Sequence, residues 1–187
     1  MLSRESVDVT DAENHFRGLL HAMGLNPAEE HLLDTPRRYI GMLSELFFEE
    51  PWKFTTFENP DGDSGIVVVR DIPFTSLCAH HFALFTGTAT VAYIPNQRLV
   101  GLSKLARAVQ MFAKGPNVQE FIGRNTVNFL EAHLEPIGVA VILKATHTCM
   151  TERGVKAHGS ETITSTLRGC FLKEPSSRAE LMSLLEV

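Results

Sequence analysis

Thiol and imidazole side chains are concentrated in two short segments of the chain. Cys78, His80 and His81 lie in the first segment, and His147 and Cys149 lie in the second. Zinc prefers sulfur and imidazole ligands, and a catalytic zinc site keeps three protein ligands and leaves one position for water. The remaining two histidines could then transfer protons near neutral pH. The two segments together therefore predict a catalytic zinc centre.

Other interpretations of these residues stay open at the level of sequence. Cys78 and Cys149 could be two buried, inert thiols, because free cysteine is often buried. A closed Cys2His2 structural site is a second alternative, although the spacings differ from common zinc-finger and zinc-ribbon patterns. The metal-binding histidine is not decided either. On a regular strand Cys78 and His80 share one face, whereas in a turn Cys78 and His81 can converge.

Cationic side chains lie where the pattern predicts the start of a helix. Ser103 and Lys104 begin this helix, and Arg107 follows about one turn later on the face of Lys104. A helix N-terminus with adjacent cations is suited to phosphate, although an ordinary solvated helix has the same pattern. Arg153, soon after Cys149, could join these residues. The group is therefore a candidate phosphate-binding site, with an ordinary solvated helix face as the open alternative.

Gln119 and Glu120 lie at the start of a second predicted helix. A carboxylate can accept two hydrogen bonds from a ring edge such as N1 and the 2-amino group of guanine. A surface glutamate near a helix start is equally common. The pair is therefore a candidate for binding a purine base.

Hydrophobic spacing indicates the elements that position these side chains. The first third of the chain reads as helical, with a short helix over 28–33 between two longer ones. A polar, turn-rich stretch over 51–64 separates an N-terminal helical arm, residues 1–60, from a body, residues 61–187. The body order is strand, strand, helix, helix, strand, strand, which predicts an α+β fold with an antiparallel sheet packed on two helices. The predicted body strands cover residues 66–69, 86–93, 138–145 and 162–171, and the helices begin near 102 and 118.

Composition excludes several classes of protein. The net charge of −5 argues against non-specific nucleic-acid binding, which requires a basic surface. No run approaches the ~20 apolar residues of a membrane span. Three widely spaced cysteines do not form a secreted disulfide framework, so we expect a cytoplasmic protein without nucleic-acid or membrane partners.

From about Asp34 onward, the chain resembles the GTP cyclohydrolase I family in order and spacing. Thr35-Pro36 and Arg38 fit the family's N-terminal pattern, and residues 164–166 match near the end. The other matching segments are Cys78-Ala79-His80-His81, Tyr93-Ile94-Pro95, Gly101-Leu102-Ser103-Lys104-Leu105-Ala106-Arg107, Val118-Gln119-Glu120, His147-Thr148-Cys149-Met150 and Arg153-Gly154.

The resemblance implies a fold, an assembly and a role for each candidate residue. The fold would be the tunnelling fold, in which subunits join in a ring, by family habit a decamer of two stacked pentamers with active sites between subunits. Cys78, His81 and Cys149 would bind Zn²⁺, and His80 and His147 would be catalytic. The substrate-binding residues would be Gln119 and Glu120 at guanine, Ser103 near the ribose, and Lys104, Arg107 and Arg153 at the triphosphate.

The implied reaction is hydrolysis of GTP at C8 of the purine, with release of formate and rearrangement to 7,8-dihydroneopterin triphosphate. This is the first step of tetrahydrofolate, other pterin or deazapurine synthesis. Three positions depart from the family pattern: Ala79 replaces a glutamate, Gly41 a lysine and Phe121 an arginine. These departures motivate a second hypothesis, an enzyme acting on another purine nucleotide. A ring-forming binding protein without catalysis is the third.

Overall fold

The chain divides into two compact units, the first ending at Glu50 and the second beginning at Pro51. The computed structural model describes residues 7–186, so residues 1–6 and 187 of the predicted domains lie outside it. The second unit begins before residue 60 because Thr56–Glu58 (β1) pairs with Arg98–Val100 (β4) inside it. The division into an arm and a catalytic domain stays a prediction.

Two helices make up the regular structure of the first unit. α1 spans Val9–Ala22 and α2 spans Thr35–Phe47. Asp8 is the N-cap of α1, and its carboxylate accepts a hydrogen bond from the Asp11 N–H at 2.9 Å. The helix predicted over 28–33 is wrong: successive turns fill this stretch, and the Asn26 side chain accepts the Ala28 N–H at 3.1 Å. Asparagine competes with helix formation in this way.

A mostly antiparallel sheet forms the frame of the second unit, with strand order β5-β2-β3-β6-β7. Its four long strands pair antiparallel and confirm the four predicted ones, although β2 extends much further than 66–69. β5 is a two-residue strand that pairs parallel to the end of β2 and was not predicted. The strand bounds are Val67–Cys78 for β2, Leu84–Ile94 for β3, Pro116–Asn117 for β5, Gly138–His147 for β6 and Thr162–Gly169 for β7.

The helix pair α3 (Leu102–Ala113) and α4 (Gln119–Leu134) packs on one face of this sheet. Apolar residues three or four apart, such as Leu105 and Val109, are fully buried there against the sheet. Alternate strand residues supply the other half of this core. The arrangement confirms the predicted α+β class. Among residues 7–186 no helix is long and apolar enough to cross a membrane.

The end of the chain differs from the prediction of a strand reaching residue 171. β7 stops at Gly169, whose φ of 61° turns the chain, and the Cys170 N–H donates to the Ile137 carbonyl. Two helices follow, α6 (Cys170–Lys173) and α7 (Pro175–Leu185). Leu181 of α7 belongs to a small core that includes β3 and β6 residues alternating with those of the main core. The helices therefore cover part of the opposite sheet face.

Candidate metal and catalytic site

The strand pairing brings the two Cys–His segments to one end of the sheet. β2 ends at Cys78, β3 begins at Leu84 and β6 ends at His147. Leu77 pairs with Leu84, and Phe85 pairs with His147. Because neighbouring antiparallel strands run in opposite directions, the end of β2, the start of β3 and the end of β6 lie side by side. Segments 69 residues apart in sequence, from Cys78 to His147, therefore converge.

A tight turn after β2 places two histidines beside Cys78. The Cys78 carbonyl accepts the N–H groups of His81 and Phe82, and the Cys78 N–H donates to Ala83. Phe82 adopts the left-handed conformation, with φ 53°. This turn brings His81 Nδ1 to 3.7 Å from Cys78 Sγ, with His80 Nδ1 at 3.9 Å. Both histidines thus lie close to the thiol.

Cys149 completes a group of three ligand atoms. The chain leaves β6 through a short helix, α5 (Thr148–Thr151). The Thr148 hydroxyl donates to the Leu84 carbonyl at 2.6 Å. Cys149 Sγ, Cys78 Sγ and a ring nitrogen of His81 then all lie within 4.8 Å of one another. His80 does not belong to this group. The geometry favours the turn alternative over the regular-strand alternative for the metal site.

The size and chemistry of this group fit zinc. With Zn–S near 2.3 Å and Zn–N near 2.05 Å, a tetrahedral site separates sulfur from nitrogen by roughly 3.6 Å. The separation between Cys78 and His81 is 3.7 Å. All three cysteines are free thiols, so Cys78 and Cys149 are available as ligands. Three protein ligands match an open, catalytic type of site rather than a closed structural one.

The Cys149 thiol lies in a partly apolar environment. Burial raises its pKa most, and its hydrogen bond to Cys78 raises it further. The local backbone and the charge of Arg153 lower the pKa and oppose this shift in part. Because zinc binds the thiolate, metal binding here would release protons from the thiols. Arg153 is exposed, but it lies close enough for its charge to lower the pKa of the Cys149 thiol.

His147 is held from two sides at the end of β6. Its ring stacks on the fully buried ring of Phe85, with centroids 4.4 Å apart and planes 7° apart. Its Nε2 lies 2.7 Å from Gln119 Oε1. Burial lowers the His147 pKa, and the nearby Glu120 carboxylate opposes this shift in part. His147, two residues before Cys149, thus contacts Gln119 and lies near Glu120, and the roles of all three at a substrate stay predictions.

The remaining candidates lie on α3. Ser103 and Arg107 are exposed, and Lys104 is half-buried. The role of Ser103 near the ribose and the roles of Lys104 and Arg107 at the triphosphate stay predictions.

Two of the departures from the family pattern lie near the site. Ala79 is exposed on the turn, where its N–H donates to the Asn117 carbonyl at 2.9 Å. Phe121 follows Glu120, and the Arg124 guanidinium lies 4.3 Å from the centroid of its ring. Gly41 belongs to α2 in the first unit, and a Cβ there would meet no atom within 4 Å.

Sequence reasoning missed the residues that orient the site. Phe85 was not a candidate, because only the strand register reveals that it lies opposite His147. Thr148 and Thr164 lie in segments that match the family pattern, but they were not candidates for the site, although the first ties the Cys149 turn to β3 and the second accepts a hydrogen bond from Gln119. Threonine and phenylalanine carry no chemical signal of their own, so the sequence offered no means of finding them.

Comparison with known proteins gives one consistent result. A family model described as GTP cyclohydrolase I matches residues 12–186. Curated proteins named GTP cyclohydrolase 1 match nearly the whole chain. The one from Brevibacillus brevis is 45% identical over 96% of this chain and 98% of its own length. Those from Clostridioides difficile and Rhodopirellula baltica are 44% and 42% identical over 96% of this chain, and over 97% and 80% of their own lengths. This match and the sheet packed on two helices confirm the predicted tunnelling fold.

Proposed function

Because the chain belongs to the GTP cyclohydrolase I family, we propose that it hydrolyses GTP at C8 of the purine, with zinc as cofactor. The products are formate and 7,8-dihydroneopterin triphosphate. The observation that carries this proposal is the group of Cys78, His81 and Cys149 beside His147. It supplies three metal ligands and a separate imidazole at one end of the sheet.

Zinc at this site would be held by Cys78, His81 and Cys149. When bound with an open position, zinc acidifies water and so supplies a nucleophile at neutral pH. The two thiols must lose their protons on binding, and the cation of Arg153 beside Cys149 favours that loss. His80 lies beside the ligands without being one of them, so its ring stays available for proton transfer.

The other side chains bind the nucleotide and move protons. Glu120, exposed at the start of α4, accepts hydrogen bonds from guanine in this proposal, and its proximity to His147 supports a base bound beside that imidazole. His147 and His80 transfer protons to and from the purine as the ring opens. Ser103 lies near the ribose, and Lys104, Arg107 and Arg153 bind the triphosphate. Gln119 precedes Glu120 in the chain, and its amide oxygen contacts His147 Nε2.

We further propose that the chain works in the cytoplasm as a ring-shaped homo-oligomer, a decamer with active sites between subunits. β7 is one of the two edge strands of the sheet over residues 7–186, and its Ile163 is 65% exposed. An unpaired outer strand with exposed apolar residues favours pairing with another chain. The product would enter folate, pterin or deazapurine synthesis.

The test is to incubate the zinc-loaded protein with GTP and to measure formate together with a fluorescent pterin after oxidation. Both products are expected. The matched variants are His147→Asn, which should lose formate release, and His158→Asn, which should keep it. His158 is exposed and lies outside the Cys–His group. Neither product, with zinc confirmed in the wild-type protein, would refute the assignment to GTP.

One observation favours a second candidate, an enzyme acting on a different purine nucleotide. Phe121 places an exposed aromatic ring directly after Glu120, where the family pattern has an arginine, and the Arg124 guanidinium lies over that ring. This change alters the surface beside the proposed base-binding carboxylate. Parallel incubations with ATP, ITP and XTP separate the two candidates, because formate from one of these nucleotides and not from GTP would favour the second.

A further inference from the structure

Gln119 has an unusual number of partners for a residue at the proposed substrate site. Its side chain is 2% exposed, at the start of α4. The amide nitrogen lies 3.2 Å from the Leu143 carbonyl, 3.1 Å from the Thr162 carbonyl and 3.1 Å from Thr164 Oγ1. The amide oxygen lies 2.7 Å from His147 Nε2. The amide nitrogen and the amide oxygen of Gln119 therefore both have hydrogen-bond partners inside the protein.

The surroundings fix which way this amide points. Backbone carbonyls can only accept hydrogen bonds, so the atom facing Leu143 and Thr162 must be the amide nitrogen. The reversed orientation would place the Gln119 oxygen against two carbonyl oxygens, which repel it and cannot donate a hydrogen bond. The Gln119 oxygen must therefore face His147.

This orientation determines where His147 carries its proton. An amide oxygen only accepts, so the His147 nitrogen at 2.7 Å has to be an N–H donor. His147 Nε2 is then protonated in the neutral ring as well as in the cation. Among residues 7–186, Nδ1 of the same ring has no hydrogen-bond partner. The stacking on Phe85 holds the ring plane in place.

We propose that Gln119 is a positioning residue that keeps a proton on Nε2 of His147, so that Nδ1 is the ring nitrogen open to the substrate. The part about substrate rests on the proposed function, whereas the position of the proton does not. This role differs from the guanine contact that the family resemblance implies for Gln119. Both of its N–H groups and its oxygen already have partners, so Gln119 acts through His147.

The direct test is nuclear magnetic resonance of the full-length, zinc-loaded protein labelled with ¹⁵N in histidine, without substrate. Long-range ¹H–¹⁵N correlations report which ring nitrogen carries the proton, and the His147→Asn variant identifies the His147 signals. We expect the Nε2–H form, with its N–H proton protected from exchange with water. An Nδ1–H form in the wild-type protein would overturn the proposal, whatever the activity of the enzyme.

Two variants separate Gln119 from its surroundings. Gln119→Met keeps the length of the side chain but removes every hydrogen bond, so the Nε2–H proton should lose its protection from exchange. Thr164→Val removes one acceptor and leaves both carbonyls, so the protection should remain. Thermal unfolding checks that both variants fold. Unchanged protection in a folded Gln119→Met protein would overturn the proposal.

Kinetics distinguish positioning from a direct substrate contact. Removing a group that orients a functional side chain commonly lowers activity by about 10-fold to 100-fold. We expect kcat for Gln119→Met to fall by this factor while KM for GTP and the binding of GTP to zinc-free protein stay unchanged. Weaker GTP binding with kcat unchanged would instead make Gln119 a substrate contact. If the wild-type protein releases no formate, the proposed function fails while the resonance experiment still decides the position of the proton.

Discussion

Replacing Gly87 with alanine tests how closely β3 and β6 must approach beside the candidate site. A Cβ at this position would lie 2.0 Å from the Lys144 carbonyl oxygen, and 2.7 and 2.8 Å from Cα and Cβ of Ala145. Favourable contacts between heavy atoms lie near 3.5–4.0 Å. Two of the three obstructing atoms belong to the backbone of β6, which is paired on both sides, so they cannot rotate away. The strands would therefore have to separate by roughly 1 Å or more.

The size of the effect follows from this geometry. Overpacking a well-packed interior costs about 1–3 kcal/mol, and a backbone obstruction places Gly87→Ala at the upper end, near ~3 kcal/mol. The Phe85–His147 pair lies two positions away on the same ladder. A displacement of about 1 Å at a catalytic group can cost roughly 100-fold in rate. We therefore expect Gly87→Ala to lose stability and formate release together.

Urea unfolding measures the first effect, at one fixed protein concentration because an oligomer's apparent stability depends on it. The matched control is Gly65→Ala, where the added Cβ meets no atom within 4 Å. That variant should be unchanged or more stable by up to about 1 kcal/mol. If Gly87→Ala unfolded at the same urea concentration as the wild type, with the same slope, the inferred obstruction would be wrong.

Three further changes test the metal site, the core and the phosphate site. Cys149→Ala should lower zinc affinity more than about 100-fold, because losing a metal ligand costs more than losing a residue that only orients a ligand. Elemental analysis should then find less than one zinc per chain in Cys149→Ala and one zinc per chain in Cys170→Ala. Equal zinc content in both would contradict the proposed ligands. Leu105→Ala removes a fully buried side chain between α3 and the sheet and should lower the free energy of unfolding by about 2–5 kcal/mol in urea titrations; a loss below about 1 kcal/mol would contradict the packing. Arg153→Met should raise KM for GTP by about 10-fold or more, as expected for a lost charge-assisted hydrogen bond, and an unchanged KM would remove Arg153 from the triphosphate site.

The sequence predicted the frame of the molecule well because its main signals are periodic. Alternating residues over 138–145 and helical spacing after Leu102 identified β6 and α3 with the correct type and order. The end of the chain was harder. Apolar Cys170 and Phe171 continue the pattern of β7, and the turn at Gly169 depends on a conformation that a glycine allows without requiring.

The candidate site was predictable in composition and only partly in geometry. Spacing within the first segment allowed either His80 or His81 to join Cys78. The choice depends on the left-handed Phe82 and on backbone hydrogen bonds within the turn, neither of which has a pattern in the sequence. The partners of Gln119 come from β6 and from residues 162 and 164, so they exist only after the sheet has formed.

The departures from the family pattern indicate where this chain should differ from its relatives. The turn that presents His81 is held by backbone hydrogen bonds, so Ala79 removes a side chain without removing a support of the metal ligands. With Phe121 in place, Gln119 still contacts His147 through a hydrogen bond. The Arg124 guanidinium over the Phe121 ring keeps a positive charge near the start of α4. Both changes therefore act on the surface that is proposed to meet the nucleotide. We expect a difference in this chain to appear in KM and nucleotide preference, with the proposed zinc ligands and the Gln119–His147 contact unchanged.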